Sequence, residues 1–321
     1  HLQSIVEKKN ALPILSNILI EAKDNHLVLS STDMDISIIE KINCTVLENG
    51  ATTINSQILY DIVRKIDDNS EIEIISNSGK LLTLRSDGSR FSLASLPKED
   101  YPIIEKDNSG IDIVLNSKIL FKLIDKTKFA ISNEETRYFL NGLYFNVTNE
   151  REKNIVTLVG TDGHRLAKSS HEIEGKIDQL SGVIIPKKTI YELSKLLSEL
   201  DTDINISVSS NKIIFIIGNI IFISKLIDGS FPDYKRVIPK DNTNVLIINR
   251  DKLLSAVDRV STIANEKSPV IKFKLLQNVL NLNTINNESS SASEDLTIDY
   301  KGDEIEIGFN SKYIMDLVNN L

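Results

Sequence analysis

Cysteine and tryptophan are scarce in this chain: its 321 residues include one cysteine, Cys44, and no tryptophan. A single cysteine excludes an intrachain disulfide and any metal cluster held by several cysteines. No apolar run is as long as a membrane span, and the first residues lack the charged and apolar regions of a secretory signal. We therefore expect a soluble protein of the cytoplasm.

Motifs for catalysis are also rare. The sequence has neither a Walker phosphate loop nor a GxGxxG turn. Its one candidate is TDGHRLA at 161–167, where Asp162, His164 and Arg165 stand close together. In an extended segment successive side chains alternate between faces, so Asp162 and His164 would share a face that Arg165 does not. Because no nucleophile motif, second carboxylate pair or metal-ligand spacing accompanies them, we predict no enzyme activity, no cofactor and no metal site.

Positive charge is in deficit overall but is concentrated in particular segments. The formal net charge is −8, which taken alone argues against a nucleic-acid partner. Lys and Arg nevertheless equal or outnumber Asp and Glu in every segment predicted to be helical, namely 55–66, 116–131, 186–200, 249–263 and 310–321. Basic helices in an otherwise acidic chain favour a surface that faces a polyanion.

One of these helices carries a regular row of lysines, Lys118, Lys122 and Lys126, called here the lysine stripe. Residues four apart lie on the same face of a helix. The apolar face opposite consists of Leu120, Leu123, Ile124, Thr127 and Ile131. A solvated lysine face is the alternative for one helix alone. Since aromatic-rich and zinc-finger motifs are missing from the sequence, the stripe suits phosphate contacts that do not read base sequence.

Internal repetition is what the sequence has in abundance. The phrase NSQILYDIVRKI at 55–66 returns as NSKYIMDLVNNL at 310–321, with a divergent copy, KKTIYELSKLLSEL, at 187–200. The alternating segments 71–85 and 203–217 each predict a hairpin. A second helix recurs at 116–134 and 249–267. The chain is therefore predicted to consist of three modules of about 130 residues, each with two helices and several strands.

These modules predict an α+β fold with the divisions 1–107, 108–240 and 241–321. The opening residues match the tail of a module's first helix, and the last copy of the repeated helix ends the sequence. We therefore expect the first and last modules to be incomplete. The serine-rich segment 286–295 separates two strand-like runs and predicts an exposed hairpin loop.

Several segments resemble a known family. These are RYFLNGLYF (137–145), TDGHRLA (161–167), KLIDGSFPDYKRVIP (225–239) and EIEIGFNSKYIMDLV (304–318), joined by SRFSLASLPKEDYP (89–102) and ALPILSNILIEA (11–22). They resemble the bacterial DNA polymerase III β subunit, the sliding clamp, and the resemblance covers essentially the whole chain in order.

This resemblance implies three repeated DNA-clamp domains, each with two helices on an inner face and antiparallel sheets outside. It implies a head-to-tail homodimeric ring that encircles duplex DNA without sequence preference and confers processivity on the replicative DNA polymerase. The implied partners are that polymerase, the clamp loader and other proteins that carry a clamp-binding peptide, with no membrane involved. Such a protein is an accessory subunit and not an enzyme.

The resemblance also nominates residues for each role. For DNA contact it nominates Lys9, Arg64, Lys187 and Lys188, together with a loop containing Arg137, Tyr138 and Phe139, to which we add the lysine stripe. Gln57 and Ile58 stand where relatives commonly have a basic pair, which implies a weaker grip on DNA. The dimer contact is expected to join an edge strand containing Phe91 and Leu93 to the third module near Ile263.

A partner-peptide pocket is implied between the second and third domains. Its expected members are Leu140, Thr161, Gly163, His164, Arg165, Leu166, Pro232, Arg236, Val237, Asn310 and Tyr313. They would form an apolar cleft with a few polar groups. The alternative for Leu140, Leu166 and Val237 is ordinary core packing.

Two other functional classes remain open from the residues. The first is a non-enzymatic repeat scaffold that binds only proteins and whose lysines serve solubility. The second is a nuclease or another DNA-modifying enzyme that uses Asp162.

Overall fold

The computed structural model describes residues 1–6, 12–77, 81–102, 110–150, 153–174, 180–265, 269–286 and 290–321. Lys9 lies outside the described residues. The chain divides into two compact units, residues 1–231 and 232–321. In the described part of the chain, no helix is long and apolar enough to cross a membrane.

The first unit contains four helices and fifteen strands within its described residues. The helices are α1 (Leu2–Ile5), α2 (Ser56–Val63), α3 (Ser117–Asp125) and α4 (Lys187–Leu197). The strands are β1 (Asn17–Lys23), β2 (His26–Thr32), β3 (Ile36–Asn43), β4 (Gly50–Asn55), β5 (Glu73–Asn77), β6 (Leu81–Ser86), β7 (Ser89–Ala94), β8 (Ile111–Asn116), β9 (Gly142–Glu150), β10 (Lys153–Thr161), β11 (Leu166–Ile173), β12 (Leu180–Pro186), β13 (Asp203–Val208), β14 (Lys212–Ile217) and β15 (Ile220–Lys225).

The strands of the first unit form three antiparallel sheets. The largest has the order β4-β1-β2-β3-β15-β14-β13-β8, so it combines four strands of the first predicted module with four of the second. The two halves join at β3 and β15, where Ile36 pairs with Ser224 and Glu40 pairs with Ile220. The other sheets are β11-β10-β9-β12 and β5-β6-β7. Edge-to-edge pairing of backbones therefore joins the first module to the second.

The repeated Asn-Ser phrase is a helix-starting signal. The Asn55 and Asn116 side chains accept hydrogen bonds from the backbone N–H groups of Ile58 and Lys118, at 3.0 Å in both cases, and so cap α2 and α3. Capping satisfies an N–H group that has no partner inside the helix. The three predicted copies of the repeated helix are confirmed, as are the hairpins β5–β6 and β13–β14. Pro186 occupies the cap position of α4, the divergent copy.

The second unit contains α5 (Arg250–Ser261), α6 (Ser311–Asn319), β16 (Val270–Leu276), β17 (Val279–Ile285), β18 (Ser291–Thr297) and β19 (Ile305–Asn310). Its sheet has the order β18-β17-β16-β19. Buried side chains of α5, the sheet and the segment after β18 form its core: Ala256, Val257, Val260, Ile271, Phe273, Leu280, Leu282, Ile298 and Tyr300. The α+β prediction is confirmed in both units.

The serine-rich segment 286–295 corrects one prediction. Residues 291–295 belong to strand β18 and not to a loop, since Ser291 pairs with Ile285 and Asp295 pairs with Asn281. Backbone hydrogen bonding to β17 holds the strand, so its side chains need not be apolar, and exposed and half-buried residues alternate along it. Composition alone therefore misassigned an edge strand.

Candidate functional site

The lysine stripe lies on the exposed face of α3. Leu120, Leu123 and Ile124 are buried on the opposite face, as predicted, and so are Thr127 and Ile131 just beyond the helix. The Lys118 ammonium lies 2.6 Å from Asp201 Oδ2, and both side chains are exposed. The hydrogen bond from Lys118 holds the pKa of Asp201 below its usual value. Lys122 is exposed, and Lys126 ends the helix half-buried. The stripe is therefore a solvent-facing basic surface, and one of its lysines already has a carboxylate partner.

The other nominated basic residues differ in how free they are to meet a phosphate. Arg64 follows α2 with half of its side chain exposed and lies 3.0 Å from Asp61. Lys187 donates to the Asn133 side chain. Lys188 is instead directed into the first module, where its ammonium lies 2.5 Å from Asp33 Oδ2. The Asp33 side chain is 6% exposed. The Lys188 side chain is 37% exposed, and its ammonium pairs with this carboxylate.

The segment 135–140 consists of two short 3₁₀ turns that meet at a kink at Arg137, and it carries three nominated DNA contacts and one pocket residue. Arg137 Nη2 lies 2.7 Å from the Glu134 carboxylate. Tyr138 is 54% exposed, and its ring packs edge-on against Phe139 at 5.9 Å between centroids. Leu140, the last residue, is buried. Tyr138 therefore offers an exposed aromatic surface next to a cation, with the half-buried Phe139 packed against it.

The TDGHR motif forms the tight turn between β10 and β11, called here the pocket turn (residues 161–166). Thr161 pairs with Leu166 across the hairpin. Asp162 Oδ1 accepts hydrogen bonds from the backbone N–H groups of His164 and Arg165 at 2.9 and 3.0 Å. The Thr161 hydroxyl donates to the Arg165 carbonyl at 2.7 Å. Local side-chain to backbone bonds of this kind are why Asp and Thr favour turns.

The pocket turn overturns the expectation that Arg165 points away from Asp162. Arg165 Nε donates to Asp162 Oδ2 at 3.0 Å, because the segment is a turn and not an extended strand. The Arg165 guanidinium also donates to the Phe129 carbonyl at 2.7 Å and lies 5.4 Å from the Phe129 ring centroid. The Asp162 side chain is only 15% exposed. Asp162 therefore orders the turn, and its oxygens are committed to that task.

Gly163 occupies the left-handed position of the turn, where glycine is the least strained residue. Its φ is +87°, in the left-handed region that side chains rarely adopt. A methyl group placed there would lie 2.5 Å from Arg137 Nη1. The pocket turn therefore packs directly against the segment that carries the aromatic pair. His164 is exposed at the tip, and Leu166 is half-buried.

The remaining pocket nominees lie in the second unit. Arg236 belongs to a 3₁₀ turn and lies 2.8 Å from Asp233. Val237 is 68% exposed, which excludes the core alternative for this residue, whereas Leu140 is buried as that alternative expects. Pro232 is exposed. Asn310 caps α6 by accepting from Lys312 N at 2.9 Å, and Tyr313 is half-buried on the same helix.

The nominated dimer residues lie on strand β7 and just after helix α5. Phe91 and Leu93 are half-buried on β7, the last strand of its sheet, where they pair with Leu84 and Leu82 of β6. Ile263 is half-buried shortly after α5. Two cavities of about 390 Å³ lie beside β7, one including Leu93 and the other Phe91 in its lining. Strand β7 thus presents a free edge, among the described strands, next to open clefts with both polar and apolar lining.

A second turn with the conformation of the pocket turn was not predicted from the sequence. Residues Thr32–Ile36 form the same turn as the pocket turn: Asp33 Oδ1 accepts from Asp35 N at 2.9 Å and from Ile36 N at 2.7 Å. The Thr32 hydroxyl donates to the Ile36 carbonyl at 2.8 Å. The Thr-Asp pair at 32–33 and again at 161–162 is the signal that could have found it.

Comparison with known proteins matches three family models to successive parts of the chain. Family models of the DNA polymerase III beta subunit match residues 1–105 (N-terminal domain), 114–233 (central domain) and 235–321 (C-terminal domain). The beta sliding clamp of Caulobacter vibrioides is 40% identical over 322 residues, which cover all of this chain and 87% of that protein. The beta sliding clamp of Escherichia coli is 36% identical over 97% of this chain and 83% of its own length.

Solved structures agree with this family assignment. The sliding clamp of Bartonella birtlesii, crystallised bound to griselimycin, superposes with a TM-score of 0.96 and 43% identity over all of this chain and 86% of its own. The DNA polymerase III subunit beta of Pseudomonas aeruginosa superposes with a TM-score of 0.94 and 32% identity over 99% of this chain and 86% of its own.

Proposed function

This chain belongs to the DNA polymerase III β subunit family, the bacterial sliding clamps, and from that premise we propose which of its residues close the ring, face DNA and dock partners. A sliding clamp is a non-enzymatic accessory subunit of the replicative DNA polymerase. It encircles duplex DNA as a head-to-tail homodimer and holds the polymerase through docked peptides. Encirclement makes each rebinding event intramolecular, which raises effective concentration without sequence preference. We place this activity in the bacterial cytoplasm.

The observation that carries the proposal is the β3–β15 junction. There β15, the last strand of the second module, pairs with β3 of the first module. Strand β7 occupies the position of β15 in the first module, and β18 occupies the position of β3 in the second unit. Both are edge strands of their sheets among the described residues. We infer that β7 of one copy pairs with β18 of another, which repeats head to tail until two copies close.

The junction also supplies a register for this pairing. Ser37 pairs with Ile223 at the β3–β15 junction. Ser37 of β3 and Ser291 of β18 are equivalent, because each is the first residue of its strand to pair with the preceding strand. Ile223 of β15 and Ser92 of β7 are equivalent, because each is the fourth residue of its strand. Transferring the register places Ser92 of one copy opposite Ser291 of the next.

The helices are proposed to face the duplex. The lysine stripe, Arg64, Lys187 and Arg137 supply cations, and Tyr138 and Phe139 supply an aromatic surface beside them. Lysine and arginine contacts to phosphates fix no register along the duplex and read no sequence. This suits a ring that must slide.

Partner docking is proposed for the pocket turn with Leu140 in the first unit, and for Pro232, Arg236, Val237, Asn310 and Tyr313 in the second. The pocket turn offers ordered backbone and the exposed His164, while Val237 offers exposed apolar surface. A peptide of mixed polar and apolar character fits such a set. This assignment gives TDGHR a binding role, in which Asp162 orders the turn.

Ring closure is tested by a disulfide placed at the transferred register. In a Cys44→Ser background, Ser92→Cys and Ser291→Cys should oxidise to a covalent dimer, because directly paired strand positions lie within about 4.5–5.5 Å. The matched control pairs Ser291→Cys with Ser89→Cys, three positions along the same strand, and should remain uncrosslinked.

The cysteine variant is loaded in its reduced state by the clamp loader on nicked circular plasmid and is then oxidised. When the plasmid is linearised at high salt, the crosslinked ring should stay bound only if the DNA ends are blocked. The uncrosslinked clamp should slide off the linear DNA. Retention of the clamp on linear DNA with free ends would refute encirclement. Equal crosslinking at both cysteine placements would refute the register, and failure of any loaded species to form would favour a scaffold that binds only proteins.

A further inference from the structure

We propose that Lys188 is a positioning residue that fixes the first module against the second through Asp33, and that it is not a phosphate contact. The proposal deepens the DNA-facing role described above. Only its DNA-binding test rests on that role, since the pairing itself can be measured without DNA.

The Lys188 ammonium reaches two acceptors of the other module. Lys188 is the second residue of α4, in the second module. Its ammonium lies 2.5 Å from Asp33 Oδ2 and 3.4 Å from the carbonyl oxygen of Ile5, which is the last residue of α1. Both acceptors belong to the first module. The lysine therefore crosses the junction to reach a carboxylate and a backbone carbonyl, both of which accept hydrogen bonds from a cation.

Burial separates this pair from the other ion pair at the same turn. The Asp33 side chain is 6% exposed, whereas Asp35, two residues later, is 75% exposed and lies 3.1 Å from Lys225. Exposed pairs contribute little, but a buried carboxylate that loses its partner is left uncompensated. Turning Lys188 toward a phosphate would break this ion pair and leave Asp33 Oδ2 without its ammonium partner.

Asp33 is held in place by its own turn. Its other carboxylate oxygen, Oδ1, accepts the backbone N–H groups of Asp35 and Ile36. The turn begins β3, the strand that pairs with β15 across the junction. Fixing Asp33 therefore fixes the start of the strand that joins the two modules, and Lys188 sets how α4 sits against it.

The first experiment measures the salt dependence of binding to a short labelled duplex by fluorescence anisotropy. A lysine that neutralises one phosphate contributes about 0.9 to the slope of log affinity against log salt. Lys122→Met, on the lysine stripe, should lower the slope by about that amount. Lys188→Met should leave the slope unchanged. A slope reduced by Lys188→Met as much as by Lys122→Met would overturn the proposal.

The second experiment is a double-mutant cycle on thermal unfolding of the full chain without DNA. Lys188→Met should lower the melting temperature by about 5 °C or more, because Asp33 loses its partner. Adding Asp33→Asn should restore part of that loss, so that the two changes are strongly non-additive. The same cycle on Lys225 and Asp35 is the matched control and should be close to additive. Additive effects at Lys188 and Asp33 would refute the pairing.

The two experiments separate failure of this proposal from failure of the DNA-binding role. If Lys122→Met also leaves the slope unchanged, the DNA-facing role of the stripe is wrong, and the thermal cycle alone decides the role of Lys188. If Lys122→Met lowers the slope and the cycle is additive, the stripe stands and the positioning role of Lys188 is wrong.

Discussion

Replacing Asp162 tests whether the TDGHR motif is a turn that binds partners or a catalytic site. In the structure its carboxylate accepts two backbone N–H groups of the pocket turn and the Arg165 guanidinium, all at 2.9–3.0 Å. Asp162→Ala removes all three bonds and leaves the donors without their acceptor. Asp162→Asn keeps an oxygen for the backbone N–H groups and removes only the negative charge beside Arg165.

The magnitude follows from these bonds. Hydrogen bonds to a charged group contribute about 1.5–3 kcal/mol each when both partners are buried. The Asp162 side chain is 15% exposed and the turn is at the surface, so water replaces part of the loss. We expect Asp162→Ala to cost about 2–4 kcal/mol of turn stability and Asp162→Asn about 1 kcal/mol. A turn destabilised by the larger amount is ordered in only a fraction of the molecules. The apparent affinity for a partner peptide is then reduced in proportion to that fraction.

The assay is binding of a fluorescent clamp-binding peptide, measured by anisotropy beside thermal unfolding. Asp162→Ala should weaken the peptide by at least about tenfold, and Asp162→Asn should weaken it less. Asp33→Ala is the matched control, because Asp33 orders an identical turn. It should lower the melting temperature without weakening the peptide. Wild-type peptide affinity in Asp162→Ala would refute the binding role of the turn, and a metal-dependent nuclease activity lost in Asp162→Asn would favour the catalytic alternative.

Three further predictions concern other surfaces. Changing Lys118, Lys122 and Lys126 to Glu should reduce retention on loaded plasmid and leave peptide affinity unchanged; equal loss of both would point to misfolding. Leu93→Lys should weaken the dimer at least about tenfold in analytical ultracentrifugation, since burying that leucine contributes about 1.5–3 kcal/mol. Burial raises the pKa of Tyr101, whose hydroxyl donates to the Ser30 carbonyl. Because the unfolded chain then ionises Tyr101 first, stability should fall as the pH rises above about 10, and Tyr101→Phe should flatten that fall in alkaline unfolding curves.

The repeated helices and hairpins were predictable because their signals are local. An Asn-Ser start supplies its own cap, as Asn55 and Asn310 do, and apolar periodicity decides which face is buried. The face of α3 opposite the lysine stripe was buried as predicted. These signals need no knowledge of what lies elsewhere in the chain.

The features that the sequence did not reveal are those that distant residues decide. Residues 291–295 form a strand because β17 provides a backbone partner, and their serines give no local sign of it. The direction of Lys188 depends on Asp33, 155 positions earlier, so its sequence neighbourhood suited a DNA contact equally well. The composition of a segment therefore predicts whether a side chain is exposed better than it predicts which distant residue that side chain contacts.

The nominated pocket and DNA contacts remain predictions for a related reason. The resemblance transfers roles by position, whereas the structure describes each unit by its own internal contacts. Exposure supports Val237 and Tyr138 as surface contacts, and burial of Leu140 is equally compatible with core packing. Binding measurements on variants are therefore needed to separate roles that position alone assigns.

The two Thr-Asp turns connect the architecture with the proposed roles. Both use the same side-chain to backbone bonds, but they differ in what meets them. In the first module, Asp33 is buried and is met by Lys188 from the next module. In the second module, Asp162 is neutralised by Arg165 within its own turn, which leaves the His164 tip exposed. Because Arg165 lies in the same turn as Asp162, the Asp162 carboxylate does not need a cation from a neighbouring module. We argue that the change of partner, from a lysine of the next module to an arginine of the same turn, has a functional consequence. The first turn contacts the next module, whereas the second is left to offer a surface for partner peptides.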